Sequence, residues 1–267
     1  MLERAEKVEE LRLFSHFFHD YRKKAEKLRA IFEGNTSILK KLYLLQSEID
    51  RFDYDGSIFR FILDQDVQFM SEYLEWLEDT DRRFTSRDLN LSSVWKSENY
   101  QNIINQALEF YTEKAELKSL MHFRLRSFFE HVSKDPMSKE RAFQYLSQII
   151  VEDAGNRELM VDIFKIIAEH LPEERVNHMR SFLSHNASFD DFKYLPLEPS
   201  GGSWSGSAVP YFERRIQALE EILSLFSRPG LLKSPSHYIQ HKLHVQAQIS
   251  AHQDRIEQER KRDFIGW

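Results

Sequence analysis

The chain has 267 residues, 41% of them apolar and 30% charged, with 37 basic against 43 acidic side chains and a net charge of −6. That length buries a sizeable core in one large or two small domains, and the near-balance of charge offers no global field to favour nucleic acid. The absence of cysteine excludes disulfides, thiolate zinc sites and a cysteine nucleophile, and fits a reducing, cytoplasmic setting, while no apolar run approaches the ~20 residues of a membrane span.

The N-terminal residues Met1 to Lys7 are charged and amphipathic, unlike a secretory signal. The first proline is Pro136, and only Gly34 and Gly56 precede it among the glycines, so the first half of the chain predicts long helices rather than strands. Leu11, Phe14, Phe18, Tyr21, Ala25, Leu28 and Phe32 step by three and four, a stripe down one side of a long helix. Gly34-Asn35-Thr36-Ser37 ends it and caps a second helix from Ile38 to about Ile49. After the break at Asp53-Tyr54-Asp55-Gly56-Ser57, a third helix is predicted to run to about Glu78, with Phe59, Leu63, Val67, Met70, Leu74 and Leu77 on one face.

A polar connector from Asp79 to Ser97 follows, with a short helical turn. The next long helix is predicted from Glu98 to about Lys118, with continuation toward His131 left open. From Pro136 the style changes to three shorter helices, Met137–Glu152, Asn156–Leu171 and Pro172–His185, with Pro172 suited to a first turn. A stiff connector with Pro196 and Pro199 then leads to Gly201-Gly202-Ser203-Trp204-Ser205-Gly206-Ser207-Ala208-Val209-Pro210. Ser207 suits an N-cap for a helix through Phe226, and a polar helix from about Pro235 to Arg262 closes the chain, with Ile239, Leu243, Ala247 and Ile256 to bury.

The expected class is therefore all-α: long antiparallel helices over 1–134, then an irregular HEAT- or TPR-like α-solenoid array over 135–267, or one continuous array throughout. Neither the tetratricopeptide nor the ankyrin signature is present.

Two features single out candidate partner-binding residues. Between Asp50 and Asp81 ten acidic residues face only Arg51 and Arg60. Asp64, Glu72, Glu75 and Asp79 from this window are candidates for docking a basic partner, against the alternative of a solvated helix face. The second feature is the glycine- and serine-rich loop, because a flexible spacer has no use for a tryptophan. Trp204, with Ser205 and Ser207, either anchors the loop between helices or presents an aromatic contact to a partner.

Catalytic patterns are sparse. His16, His19 and Asp20 resemble the His-Asp pair of helical HD metal phosphohydrolases, without the separate upstream His that those enzymes use. His237, His241 and His244 fall on one side of the last helix, where two imidazoles four apart can grip zinc, yet the third and fourth ligands are missing and a polar face is the default. Phosphate-binding loops, a dinucleotide turn, a nucleophile elbow and a Glu-x-x-His pair are all absent from the sequence.

Residues 153–226 carry Asp162-Ile163-Phe164-Lys165-Ile166-Ile167-Ala168, Arg180-Ser181-Phe182-Leu183-Ser184-His185-Asn186 and the Leu195-Pro196-Leu197 connector. The loop Ser203 to Pro210 and Ile216-Gln217-Ala218-Leu219-Glu220 follow. This stretch resembles the C-terminal helical region of large bacterial STAND-type NTPases, multidomain sensors linked with phage defence. The resemblance implies a sensor array joined upstream to an ATPase and an effector, and it carries no catalytic motif onto this chain.

The sequence thus reads as a non-enzymatic helical-repeat interaction or sensor module. It calls for no cofactor and no membrane, for a protein partner, and leaves homo-oligomerisation open. The alternative is a helical metal-dependent hydrolase using His16, His19 and Asp20 or the His237/His241/His244 row.

Overall fold

The computed structural model describes residues 34–49, 53, 55–79, 91–114, 118–199, 206–227 and 235–265. The predicted helix from Leu11 to Phe32 lies outside them. Every described element is helical: α1 Thr36–Ile49, α2 Ser57–Gln65, α3 Phe69–Leu77, α4 Tyr100–Glu113, α5 Lys118–Phe129, α6 Pro136–Glu152, α7 Arg157–His170, α8 Arg175–His185, α9 Phe189–Phe192, α10 Val209–Ser227 and α11 Ile239–Ile265, with short 3-10 turns between some of them. Among the described residues there is no strand, and no helix is long and apolar enough to cross a membrane. The chain divides into two compact units, Met1–Ser138 and Lys139–Trp267.

In the first unit, α1, α2 and α3 meet through aromatic rings. Tyr43, Phe59, Phe69 and Tyr73 are all buried, and the Phe59 and Tyr73 rings lie edge to face with centroids 4.8 Å apart. Such pairs add to the gain from burying large apolar surface. Asp53 fixes the entry to α2: its carboxylate accepts the backbone N–H of Ile58 at 3.2 Å and of Phe59 at 2.8 Å, and the Tyr43 hydroxyl at 3.2 Å. Gly56, at φ 65°, occupies the left-handed region that closes the turn before this helix.

The predicted third helix is two helices. Asp66 adopts extended backbone, φ −149° and ψ 96°, and ends α2 while its amide still donates to Ile62. Its side chain accepts the N–H of Gln68 at 3.1 Å, and its carbonyl accepts the N–H of Phe69 at 3.2 Å. This local bonding by an Asp side chain competes with the helical ladder, and it removes Val67 from the buried seam. The predicted helix from Glu98 is divided too, because Lys114 turns extended at the end of α4.

Beside these helices the 3-10 turn Leu91–Lys96 inserts Trp95 into the unit, fully buried. Its indole N–H donates to the Phe128 carbonyl at 2.6 Å, and its ring lies 5.1 Å from that of Phe129.

The second unit follows the predicted boundaries more closely. Asn156 caps α7 by accepting the N–H of Leu159 at 3.3 Å, and Pro172 opens a 3-10 turn that leads into α8. Phe164 on α7 meets Phe182 on α8 edge to face at 5.8 Å. The most extensive helix pairing is α10 against α11. Arg175 on α8, itself buried, reaches α10 through the Ala218 carbonyl at 3.3 Å and the Glu221 carboxylate at 2.7 Å.

Candidate interaction surfaces and buried polar clusters

The acidic window of the first unit is largely consumed internally. Asp64, on α2, accepts the Ser97 hydroxyl at 2.5 Å. Asp66 and Glu72 clamp Lys40 of α1 at 2.8 and 2.6 Å. Glu75 pairs with Lys114 at 3.2 Å, and Asp79 is exposed just beyond α3. Because Asp66 breaks the helix, Asp64 lies on a different element from Glu72 and Glu75, so the four residues do not form one continuous helix face. The positive charges that answer this window, Lys40, Lys114 and Arg124, come from α1 and from the neighbourhood of α4 and α5, far away in sequence.

Glu78 illustrates the point most sharply. Its carboxylate is buried and accepts the Tyr111 hydroxyl at 2.7 Å and the Arg124 Nε–H at 2.6 Å. Burial and this carboxylate hold the Tyr111 phenol well above its ordinary range.

Trp204 and Ser205 lie outside the described residues. Ser207 is exposed and its hydroxyl oxygen accepts the N–H of Val209 at 3.3 Å, one residue before the N-cap position of α10. On the surface of the second unit Tyr194 is 55% exposed, flanked by the Arg157 guanidinium at 5.0 Å and the Lys193 ammonium at 5.2 Å.

The terminal helix α11 departs from the expectation at three of its four named positions and meets it at Ile256. Ile239 and Leu243 are 59% and 58% exposed, and Ala247 is exposed as well, whereas His241, Val245, Ile249, His252 and Ile256 are buried. The inward stripe steps by 4, 4, 3 and 4, so the helical period is kept but two of its members are histidines.

His241 sits in an aromatic nest. The Phe192 ring is 4.7 Å away, Tyr238 5.1 Å, Phe189 5.4 Å and Phe226 6.2 Å. Neither of its ring nitrogens makes a hydrogen bond of normal geometry. Burial, aided by the neighbouring His244, pushes its pKa down to about 4, and the Ser188 backbone opposes this only in part.

The other two members of the predicted histidine row have separate fates. His237 is exposed, and His244 is half-buried with Gln248 2.9 Å from its Nε2. No three His, Asp or Glu side chains converge on a possible metal position among the described residues. His16, His19 and Asp20 lie outside those residues.

Two buried polar centres in the second unit carry no motif in the sequence. His178 on α8 is fully buried, its ring tilted against that of Phe143 of α6 at 4.8 Å, with Nδ1 3.4 Å from the Ser147 hydroxyl and Nε2 unpartnered. Burial lowers its pKa to about 4 against a weak upward pull from Glu174. The second centre joins the connector to α10 and α11. Glu198 bridges Arg215 at 3.0 Å and His252 Nε2 at 2.6 Å, while Phe212 stacks on the His252 ring at 5.6 Å. The His178 position was recoverable from spacing, since Arg175, His178, Met179 and Phe182 share the buried side of α8. The Glu198 link, 54 residues from His252, had no local signal.

No family model, curated protein or solved structure matches this chain.

Proposed function

We propose that this chain is a non-enzymatic helical interaction module that recognises another protein through the outer surface of its second unit. The observation that carries this reading is the exposed pair Ile239 and Leu243, one turn apart on α11, on a helix that places two histidines inside. Two large aliphatic side chains in water beside buried imidazoles cost the isolated chain free energy, and a partner that covers them recovers it. Tyr194, an exposed aromatic with cationic neighbours, is a residue type enriched at binding hot spots.

On the finer reading, α6, α7 and α8 with their tight connections belong to an irregular HEAT- or TPR-like array, the architecture that builds extended binding faces. The likeness of residues 153–226 to STAND-type NTPases supports a sensor role within a larger cytoplasmic bacterial protein in defence or signalling. In that reading Trp204 is a second contact within the second unit.

The test is native affinity capture with three versions of the full chain: the parent, Ile239→Ser/Leu243→Ser and Trp204→Ala. Loss of the same captured protein from the paired variant, with helical circular dichroism unchanged, supports the proposal. Equal capture by all three rejects both surfaces.

A further inference from the structure

The second unit seals two imidazoles, His178 and His241, where a second ring N–H finds little to donate to: His178 Nε2 has no hydrogen-bond partner, and at His241 only the Ser188 backbone offers a weak acceptor. At His178 the α6 neighbours are Phe143 and Ser147, and the nearest charged group is Glu174 in the turn before α8. The Ser147 hydroxyl can accept from one ring nitrogen, which leaves Nε2 buried without a hydrogen-bond partner. At His241 the neighbours are Phe189, Phe192 and the Ser188 backbone around α9, Phe226 from α10, the weakly acidic phenol of Tyr238 and, on its own helix, His244. None of these is a carboxylate. An imidazolium in either place is a buried charge that Glu174 or the Ser188 backbone offsets only in part, a state that proteins avoid by opening instead.

We propose that the second unit is an acid-released element, in which protonation of His178 and His241 loosens α8 from α6 and α11 from the α9–α10 pair, exposing the aromatic core between them.

The sign follows from linkage. A histidine whose folded pKa lies near 4, below its ordinary value of 6.5, stabilises the fold above 6.5 and loses that contribution as pH falls toward 4. In the first unit the buried carboxyl of Asp53 responds the other way. Burial raises Asp53 from 3.8 to about 6, with Asp55 adding to the rise, so its contribution to stability is full in acid and lost above 6. On this proposal mild acid weakens the unit that holds Ile239, Leu243 and Tyr194, while Asp53 gains in the other.

Hydrogen exchange of the full chain, read by mass spectrometry at matched intrinsic exchange, tests this. Between about pH 6 and 4.5, peptides from 139–265 are expected to lose protection while those from 55–79 and 91–114 keep it. In His178→Leu/His241→Leu the midpoint of that loss moves down by about one pH unit or more. Simultaneous loss in both units, or an unmoved midpoint in the double variant, overturns the proposal. Should the double variant not fold, the Cε1–H resonances of the two histidines in the parent protein decide. Resonances that stay neutral until the native spectrum collapses support acid release. Reversible titration near the ordinary value within an intact native spectrum refutes it.

Discussion

Removing Glu78 should expose how far the first unit depends on one buried ion pair. The Glu78 side chain is 2% exposed and that of Arg124 is 11% exposed, with the carboxylate 2.6 Å from the guanidinium and also holding the Tyr111 hydroxyl. Glu78→Leu leaves the guanidinium in a dry setting without this carboxylate, and breaking one side of a buried pair costs roughly 3–5 kcal/mol. Arg124→Met leaves the opposite charge in the same position, although Tyr111 still donates to it, so its cost falls toward about 3 kcal/mol. Glu78→Leu/Arg124→Met removes both charges and replaces them by apolar groups of similar size, a change that is near neutral within about 1 kcal/mol in comparable sites. The coupling in the double-mutant cycle, the summed single costs less that of the double variant, is then on the order of 5–8 kcal/mol. Urea unfolding at neutral pH, followed by the fluorescence of Trp76 and Trp95 in this unit, gives all four corners of the cycle. A coupling below about 0.5 kcal/mol, the value of an exposed pair, would refute the claim that this network is sealed from water.

Three further outcomes follow from single residues. Asp53→Asn should remove an acid-strengthening of about 1 kcal/mol between about pH 7 and 5, because a carboxyl raised to about 6 favours the fold only when protonated; urea midpoints of parent and variant at the two pH values measure it. His131 holds φ 62° on an exposed turn, so His131→Gly should raise stability by about 0.5–1 kcal/mol, seen as a higher melting temperature. Trp95→Phe takes away the donor to the Phe128 carbonyl and part of a fully buried ring, and should cost about 2–4 kcal/mol in chemical denaturation.

Helix existence was legible because apolar spacing and sparse glycine and proline leave few alternatives. Pro172 was legible for the same local reason, opening its turn where its chemistry places it, whereas Ser207, read as the N-cap of α10, lies one residue before that position. The break at Asp66 was not, because the apolar stripe runs straight through it and the deciding contacts are an Asx-type turn and a lysine 26 residues away. The acidic window gave no sign of its internal partners, because Lys40, Lys114 and Arg124 lie elsewhere in the chain.

The misreading of α11 has a different cause. Its inward period passes through His241 and His252, and a histidine counts as polar in any hydropathy pattern. Ile239, Leu243 and Ala247 form a competing row with equally good spacing, and only the aromatic rings of α9 and α10 decide which row turns inside. What remains outward includes the aliphatic row Ile239, Leu243 and Ala247 among polar and charged side chains, while Val245, Ile249 and Ile256 turn inside.

That outward aliphatic row is the central claim, and its most direct measurement is quantitative native capture with Ile239→Ser/Leu243→Ser. The account predicts at least a roughly tenfold drop in the captured partner, equivalent to about 1.4 kcal/mol, with the melting temperature unchanged. Undiminished capture by a variant that folds normally would contradict it.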